Sequence, residues 1–362
     1  MHLRNRVAAG AVAILLAAAV GGVVAAALRA GAEQPGAASS PDEDLAVVLA
    51  PGSSRTKLVV VDLDRRAVVR RIALRSLATD IDIDERTGLI VAAQTGGIGD
   101  EADDAVSIVD PRTGRVRYVT LPVRDPASVV CLDGRAYVLH SVLTTGGLVA
   151  SVVDVASARV AGSGRVPDGP GLWARAAGAL WAARVRGEQG WDVVRVDTGT
   201  LSAAAFEPDA PLVSGLGEAR GRLVLLGGGS GAGPGGPASV RLVDPASGVV
   251  IASCTATALP YPARSAAQAA DTLVVGDWGG QEPETRRLAV LDAETLAPRG
   301  VVDVPGVPCA LAAWGSRIVV VERTRGTLLV IDPISRAVAA SIDLGTGELP
   351  LADVVVADRA RR

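Results

Sequence analysis

From residue 45 onward, a short β-branched run ending in aspartate recurs along the chain, each time followed by a turn and a second apolar run. The instances are LVVVD ending at Asp62, VSIVD at Asp110, ASVVD at Asp154, VVRVD at Asp197, VRLVD at Asp244, LAVLD at Asp292 and LLVID at Asp332. Their spacings are 48, 44, 43, 47, 48 and 40 residues. The residue before each aspartate is apolar, as is the residue four before it. The turns explain the aspartate. In Asp110-Pro-Arg-Thr-Gly114 and Asp244-Pro-Ala-Ser-Gly248 the carboxylate accepts turn N–H groups, proline fixes φ and glycine takes a positive φ. Asp332-Pro-Ile-Ser-Arg336 is a degenerate copy. Seven equivalent carboxylates are therefore turn builders, not catalysts.

Two further strand-like runs separate successive copies, for example Pro308–Ala313 and Ser316–Glu322 after Asp292. Four strands in about 45 residues is the period of a propeller blade. The first unit holds only three strands, Leu45–Ala50, Lys57–Leu63 and Ala67–Leu74. Its missing inner strand is offered by Leu351–Ala357 at the other end of the chain. The expected fold is thus all-β: a seven-bladed β-propeller over 45–357, closed by strands from both ends so that no sheet edge is left at the seam. Residues 358–362 form a short tail.

The segment before the ring reads differently. Arg4 and Arg6 precede an uncharged run from Val7 to Leu28. About 20 apolar residues span a bilayer core, so a hydrophobic N-terminal helix is expected over 7–28. The arginines put the N-terminus in the cytoplasm and export the rest. The length fits a signal anchor; Ala25-Ala26-Ala27 and Ala30-Gly31-Ala32 fit a cleaved signal peptide. Residues 29–44, rich in Ala, Gly, Ser and Pro, read as a flexible tether.

The repeat resembles the YVTN-type repeats of bacterial seven-bladed β-propellers. The matching features are the strand-Asp-x-x-Thr/Ser-Gly turn and a proline shortly before each inner strand: Pro126, Pro170, Pro211, Pro262, Pro308 and Pro350. The fourth and sixth units lack that turn. The resemblance implies an extracytoplasmic binding or scaffolding ring and supplies no shared catalytic residue.

Composition narrows the chemistry. The chain of 362 residues is 49% hydrophobic and 21% charged, which excludes a disordered chain. A formal net charge of −3 argues against sequence-independent nucleic-acid binding. Lys57 is the sole lysine and Asn5 the sole asparagine, so no asparagine is available to a lactonase-like metal site in the ring. Aromatic residues make up 2% of the chain, too few for a stacking platform for glycans or single strands. Trp173, Trp181 and Trp314 fall in strands and read as packing residues.

Few other candidates remain. His140 reads as a structural strand-end histidine. Cys131, Cys254 and Cys309 fall on inner, outer and inner strands of blades 3, 5 and 7, too far apart to bridge, and read as free thiols. Asp100, Glu101, Asp103 and Asp104 gather four carboxylates in five residues and could hold Ca²⁺, the one cofactor the sequence suggests, although the spacing is not that of an EF-hand and a solvated acidic loop is the alternative. Asp80 and Asp82 share one face of an inner strand and read as solvated channel lining with some capacity for a cation, while Asp84 belongs to the turn Asp84-Glu-Arg-Thr-Gly88. The glycine-rich stretch 227–236 lacks the Lys-Ser/Thr of a phosphate loop.

In a propeller, loops between second and third strands open on the same face as the blade-to-blade links. Here they are long: 95–104, 141–147, 185–190, 228–238 and 278–285. In or beside them stand Arg184, Arg186, Glu188, Trp191, Trp278, Gln281, Glu282, Glu322 and Arg323, with Tyr261 and Arg264 on a link. Aromatics flanked by charges suit partner recognition. Arg184, Arg186, Trp191, Tyr261, Arg264, Trp278, Glu322 and Arg323 are the candidate ligand- or partner-binding residues. The sequence thus points to a non-enzymatic ring that binds an envelope or membrane protein, or a small extracytoplasmic ligand. The alternative is a propeller enzyme: a carboxylate-based hydrolase or a subunit like that of a quinoprotein dehydrogenase.

Overall fold

The computed structural model describes residues 43–52, 55–95, 103–140, 148–166, 171–185, 191–210, 213–228, 237–277, 286–349 and 353–357. The N-terminal run, and with it the expected helix and tether up to residue 42, lies outside the described residues. Among the described residues no helix is long and apolar enough to cross a membrane.

Seven four-stranded antiparallel sheets follow one another in sequence. Blade 1 contains β1 (Leu45–Pro51), β2 (Thr56–Asp62) and β3 (Ala67–Ala73). Blade 2 is β4 (Ala78–Asp84), β5 (Leu89–Gln94), β6 (Ala105–Val109) and β7 (Val116–Thr120). Blade 3 is β8 (Pro126–Leu132), β9 (Arg135–His140), β10 (Val149–Asp154) and β11 (Arg159–Arg165). Blade 4 is β12 (Gly171–Ala176), β13 (Ala179–Val185), β14 (Trp191–Val196) and β15 (Ala203–Ala210). Blade 5 is β16 (Gly215–Ala219), β17 (Arg222–Gly228), β18 (Ala238–Val243) and β19 (Val250–Ala256). Blade 6 is β20 (Ala263–Ala269), β21 (Thr272–Asp277), β22 (Arg287–Asp292) and β23 (Pro298–Asp303). Blade 7 is β24 (Pro308–Trp314), β25 (Arg317–Glu322), β26 (Thr327–Asp332) and β27 (Ala337–Asp343).

The last strand, β28 (Val354–Ala357), does not extend blade 7. It completes blade 1, in the order β28-β1-β2-β3, with Leu45 opposite Ala357 and Val48 opposite Val354. The expected closure by both ends of the chain is therefore present.

The core explains why the inner and middle strands read as continuous apolar runs. Each is buried on both faces, so alternation of polar and apolar residues is lost. In β1, Ala46, Val48 and Ala50 pack toward blade 7, whereas Leu45, Val47 and Leu49 pack toward blade 2. Seven apolar clusters result, one in each seam between neighbouring blades. Outer strands keep only part of this burial, as in β3, where Ile72 is buried and Arg71 exposed.

All seven aspartate turns have one geometry. The residue four after the aspartate has a positive φ in every copy: Gly114 and Gly248 at 78°, but also Arg66, Ala158, Leu201, Leu296 and Arg336 between 55° and 58°. The fourth and sixth units, which lack the glycine, keep the same turn. In the fourth, Asp197 accepts the N–H groups of Gly199 and Thr200 and the Thr200 hydroxyl. The carboxylate holds the turn well enough to force a left-handed leucine at its end.

Candidate functional site

The inner strands line the central channel, where each would expose a row of edge N–H and C=O groups. Acidic side chains cover part of that edge. Asp80 on β4 accepts the Val129 N–H at 2.8 Å and the Ser128 hydroxyl at 2.7 Å, both on the inner strand of blade 3. Asp82 accepts the Cys131 N–H at 2.7 Å. One blade earlier, Asp353, just before β28, accepts the Ile81 N–H at 3.5 Å. These carboxyls are stitches between neighbouring blades. Asp80 and Asp82 are half-buried on the inner strand, as the lining expectation had them, but each also bonds the next blade, which period two alone did not show. Among the described residues no group of three or more His, Cys, Asp or Glu side chains is arranged to hold a metal.

The stitches are half-buried, and packing around them disfavours their charged forms. Burial, then the charge of Asp353, push Asp80 well above the usual carboxylate range. Asp353 is also raised, chiefly by burial. The two carboxyls interact directly, and both are pushed upward, so a proton is held between them. Burial pushes Asp82 up to about 6, against the pull of the Arg175 guanidinium. Arg175, on the inner strand of blade 4, reaches back past blade 3 to Glu85 at 2.8 Å and to the Cys131 carbonyl.

At the loop-face end of the channel, four inner strands begin with a register shift: at Thr79, Ala127, Arg264 and Cys309 one extra residue bulges from the ladder. Such bulges re-aim side chains. Thr79 uses its position to donate to the Ala127 carbonyl at 2.8 Å. Arg264, at the equivalent place on blade 6, is exposed, and its charge pulls Asp353 downward. Cys309, the equivalent residue on blade 7, donates to the Val321 carbonyl at 3.3 Å. Burial pushes its thiol up to about 12, with Arg323 and Arg264 pulling down and Asp353 and Glu322 pushing up. Arg264, Cys309, Arg323, Asp353 and Asp80 thus form a polar arc around the channel mouth, running over blades 6, 7, 1 and 2.

The predicted partner-binding residues divide into three groups. Arg264, Arg323 and half-buried Tyr261 stand at or beside this mouth. The Arg323 backbone also ties its loop to both neighbours, donating to Val307 and accepting from Leu349. Glu322 differs from the expectation. It is fully buried, and its carboxylate accepts the N–H groups of Thr324 and Arg325 and the Thr327 hydroxyl, so it builds the loop from within. Arg186 and Trp278, with Glu188, Gln281 and Glu282, lie outside the described residues, as do the side chains of Arg184 and Trp191.

Two of the four acidic candidates for Ca²⁺, Asp100 and Glu101, lie outside the described residues. The other two already face a cation. Asp103 is paired with Arg75 at 2.6 Å and accepts the Ser76 hydroxyl, and Asp104 lies 3.7 Å from the same guanidinium. Burial would raise Asp103, but Arg75 and Ser76 outweigh it and hold the carboxyl below its ordinary value. Arg75 in turn lies over the Tyr118 ring at 4.9 Å. Nothing in the local sequence marks this partner, 28 residues away.

The histidine, cysteine and tryptophan readings agree with the structure. His140 is fully buried between the Arg124 carbonyl at 2.9 Å and the Ser151 hydroxyl at 2.8 Å, and burial lowers its pKa. It is a neutral strand-end ring that donates through Nδ1 and accepts through Nε2. The three cysteines are free. Trp181 is fully buried and donates to the Ala176 carbonyl, and Trp314 donates to Asp44.

No protein-family model matches the chain, and no curated protein does. Solved structures do. Hydrazine synthase of Kuenenia stuttgartiensis superposes with a TM-score of 0.59 at 15% identity, covering 86% of this chain and 99% of that one. Apo AztD from Citrobacter koseri gives 0.54 at 15% identity, covering 86% and 98%. A chain of the mitotic checkpoint complex gives 0.58 at 13% identity, covering 91% and 92%. At these identities the likeness establishes the seven-bladed propeller fold.

Proposed function

We propose that the chain is a non-catalytic binding ring, carried outside the cytoplasm on the apolar segment 7–28, which engages an envelope or membrane protein through its loop face. The observation that carries this reading is the channel mouth, where a β-bulge falls at exposed Arg264, whose charge acts on Asp353 and, with that of Arg323, on Cys309. Arginine next to a partly buried carboxylate, with Tyr261 at the edge, is the chemistry of an interface anchor. The groups that could serve a reaction have other employment: Cys309 is held as a thiol, His140 is enclosed, and Asp80 and Asp353 share a proton. A glycosidase pair would stand about 5–10 Å apart across a substrate, not in mutual hydrogen-bond contact. Propellers of this shape occur in a synthase and in the mitotic checkpoint complex alike, so the fold does not choose between the classes.

The test compares faces. Full-length chain carrying Arg264→Glu with Arg323→Glu is cross-linked in its native membrane beside a chain carrying Arg66→Glu with Arg115→Glu, both exposed on the opposite, turn-bearing face. A fall of at least about tenfold in the cross-linked partner is expected for the loop-face pair alone. Equal yields, or loss only from the turn-face pair, would refute the reading.

A further inference from the structure

In blades 2 to 7 a short hairpin joins the first two strands on the aspartate-turn face. In blade 1 the two ends of the ring take that place, because β28 and β1 pair with Ala357 opposite Leu45. The entry is clamped from three blades. Leu63 donates to the Asp44 carbonyl at 3.0 Å, and Arg65 pairs with Glu43 at 2.8 Å. Arg112 of blade 2 donates to the Glu43 carbonyl at 3.0 Å, and Trp314 of blade 7 to the Asp44 carboxylate at 3.0 Å. Both acids are buried. Residues 29–42 separate this fixed point from the apolar run, and a coil of that length and composition spans roughly 20 Å. The stretch after Ala357 reads Asp-Arg-Ala-Arg-Arg, so three arginines follow the ring from the same place.

The face has a basic half. At the turns of blades 7, 1, 2 and 3, Arg336, Arg65, Arg66, Arg86, Arg115 and Arg135 are exposed, against the exposed carboxylates Asp64 and Asp133. The turn aspartates of these blades accept N–H groups of their own turns; Asp62 is fully buried, and Asp110 and Asp332 are half-buried. On blades 4, 5 and 6 the balance reverses, with Asp197, Glu218, Asp271 and Glu294 exposed against Arg220 and Arg299. On the loop face, segments 95–104 and 278–285 add six carboxylates and no basic residue.

The geometry points to the aspartate-turn face, at blades 7, 1, 2 and 3, as the side that rests on a bilayer of anionic phospholipid, with the channel mouth directed away from it.

This orientation rests on the reading that segment 7–28 holds the chain in a membrane. Guanidinium groups bind lipid phosphates through paired N–H donors. Each is worth about fivefold in residence on an anionic leaflet. The turn carboxylates stand close behind the arginines, so the attraction is short-ranged and is felt only within a Debye length, ~10 Å at 0.1 M salt. The short tether supplies that nearness, because it enters the ring on this face and not on the other. A chain of formal net charge −3 gains from such a surface only with its basic half down. A partner engaged at the channel mouth then approaches from the side remote from the bilayer.

The test reads distance to lipid. Full-length chain carrying a fluorescent amino acid at position 334 on the turn face, or at 261 on the loop face, is reconstituted into vesicles with a headgroup-labelled acceptor lipid. In mixed phosphatidylcholine and phosphatidylglycerol, energy transfer should be greater from 334 than from 261. Phosphatidylcholine alone should remove the difference, as should salt near ~1 M, where the Debye length is ~3 Å. Arg66→Glu with Arg115→Glu should lower the ratio of docked to undocked ring at least about tenfold with Tm unchanged. Arg66→Lys with Arg115→Lys should keep it. Equal transfer from the two positions, greater transfer from 261, or a preference indifferent to phosphatidylglycerol or to the Glu pair overturns the inference. Flotation of the same vesicles separates the two readings. Chain that floats with both vesicle types but shows no orientation refutes the lipid-facing side alone; chain that floats with neither refutes the membrane reading and this one together.

Discussion

Asp80 and Asp353 share a hydrogen bond across the seam where the last strand of the chain meets the first blades. The bond lies one residue before β28, whose four residues complete blade 1. The Asp353 carbonyl also accepts the Leu49 N–H at 2.9 Å. Closure of the ring and the ionisation of its channel are therefore one structural feature.

Mild acid is expected to strengthen the protein. A carboxyl that holds its proton more tightly in the folded ring stabilises it fully below its unfolded pKa, and that contribution is lost as pH rises through the folded value. For Asp82 the window runs from about 4 to about 6. Asp80 extends it upward, since burial and Asp353 raise it well beyond the ordinary value. The turn carboxylates oppose this at the acid end. Hydrogen bonds hold Asp154, Asp197, Asp244 and Asp332 below their ordinary value, so their contribution disappears only as pH falls through those lowered values. Tm should therefore peak near pH 4 and fall as pH rises through about 6. Asp80→Asn, which keeps both acceptor and donor, should raise Tm at pH 7.5 and leave it unchanged at pH 4.5. A Tm that climbs steadily to pH 8 would contradict the protonated pair.

The closing strand should carry much of the cooperativity. Removing residues 353–362 takes away the four-residue ladder, buried Val354 and Ala357, and the Asp353 stitch. It leaves β1 as an open edge. A loss on the order of 3 kcal/mol is expected from a few ladder bonds and buried side chains. Amide exchange should show it first in Leu45–Leu49, with slower acceleration in blades 3 to 6.

Glu322 should behave as a structural residue despite its place beside the loop face. A Cβ on Gly306 would land on the Glu322 carboxylate, so Gly306→Ala and Glu322→Ala should damage the same loop. Each should cost about 2–4 kcal/mol, the scale of a buried carboxylate displaced from its donors. A double-mutant cycle read by chemical denaturation should show the two losses to be far from additive.

The left-handed residues offer a stabilising change. Arg66 is exposed and sits at φ 56° where other copies have glycine. Arg66→Gly should add about 0.5–1 kcal/mol, because glycine takes this conformation without the Cβ clash. Gly248→Ala, at φ 78°, should cost about 1–2 kcal/mol. Denaturant midpoints measured on the two variants should move in opposite directions.

Much of the ring was legible because its signals are local and repeated. The aspartate turn recurs at blade spacing, and the apolar runs on either side of it are long enough to mark both-face burial. Even the closure followed from a missing strand at one end and a spare one at the other. The site was harder, because its chemistry joins residues far apart in the chain. Asp80 was visible as a carboxylate on one strand face, but its partner Asp353 is 273 positions away by sequence numbering. Arg75 and Asp103 meet only because a blade link folds over a loop. Glu322 carried the charge of a surface residue and turned inward because the loop after it needed acceptors. The bulges that aim Arg264 and Cys309 leave no mark beyond a nearby proline, Pro262 or Pro308.

The most direct test of a binding loop face places a photo-reactive amino acid at one position on each side of the ring in the full-length protein, in living cells. Tyr261 serves on the loop face; Ile334, 73% exposed in the aspartate turn of blade 7, serves on the other. Illumination should give one discrete cross-linked partner from position 261 and none from position 334. Adducts from position 334 alone, or the same products from both, would contradict the assignment of binding to the channel mouth and its loops.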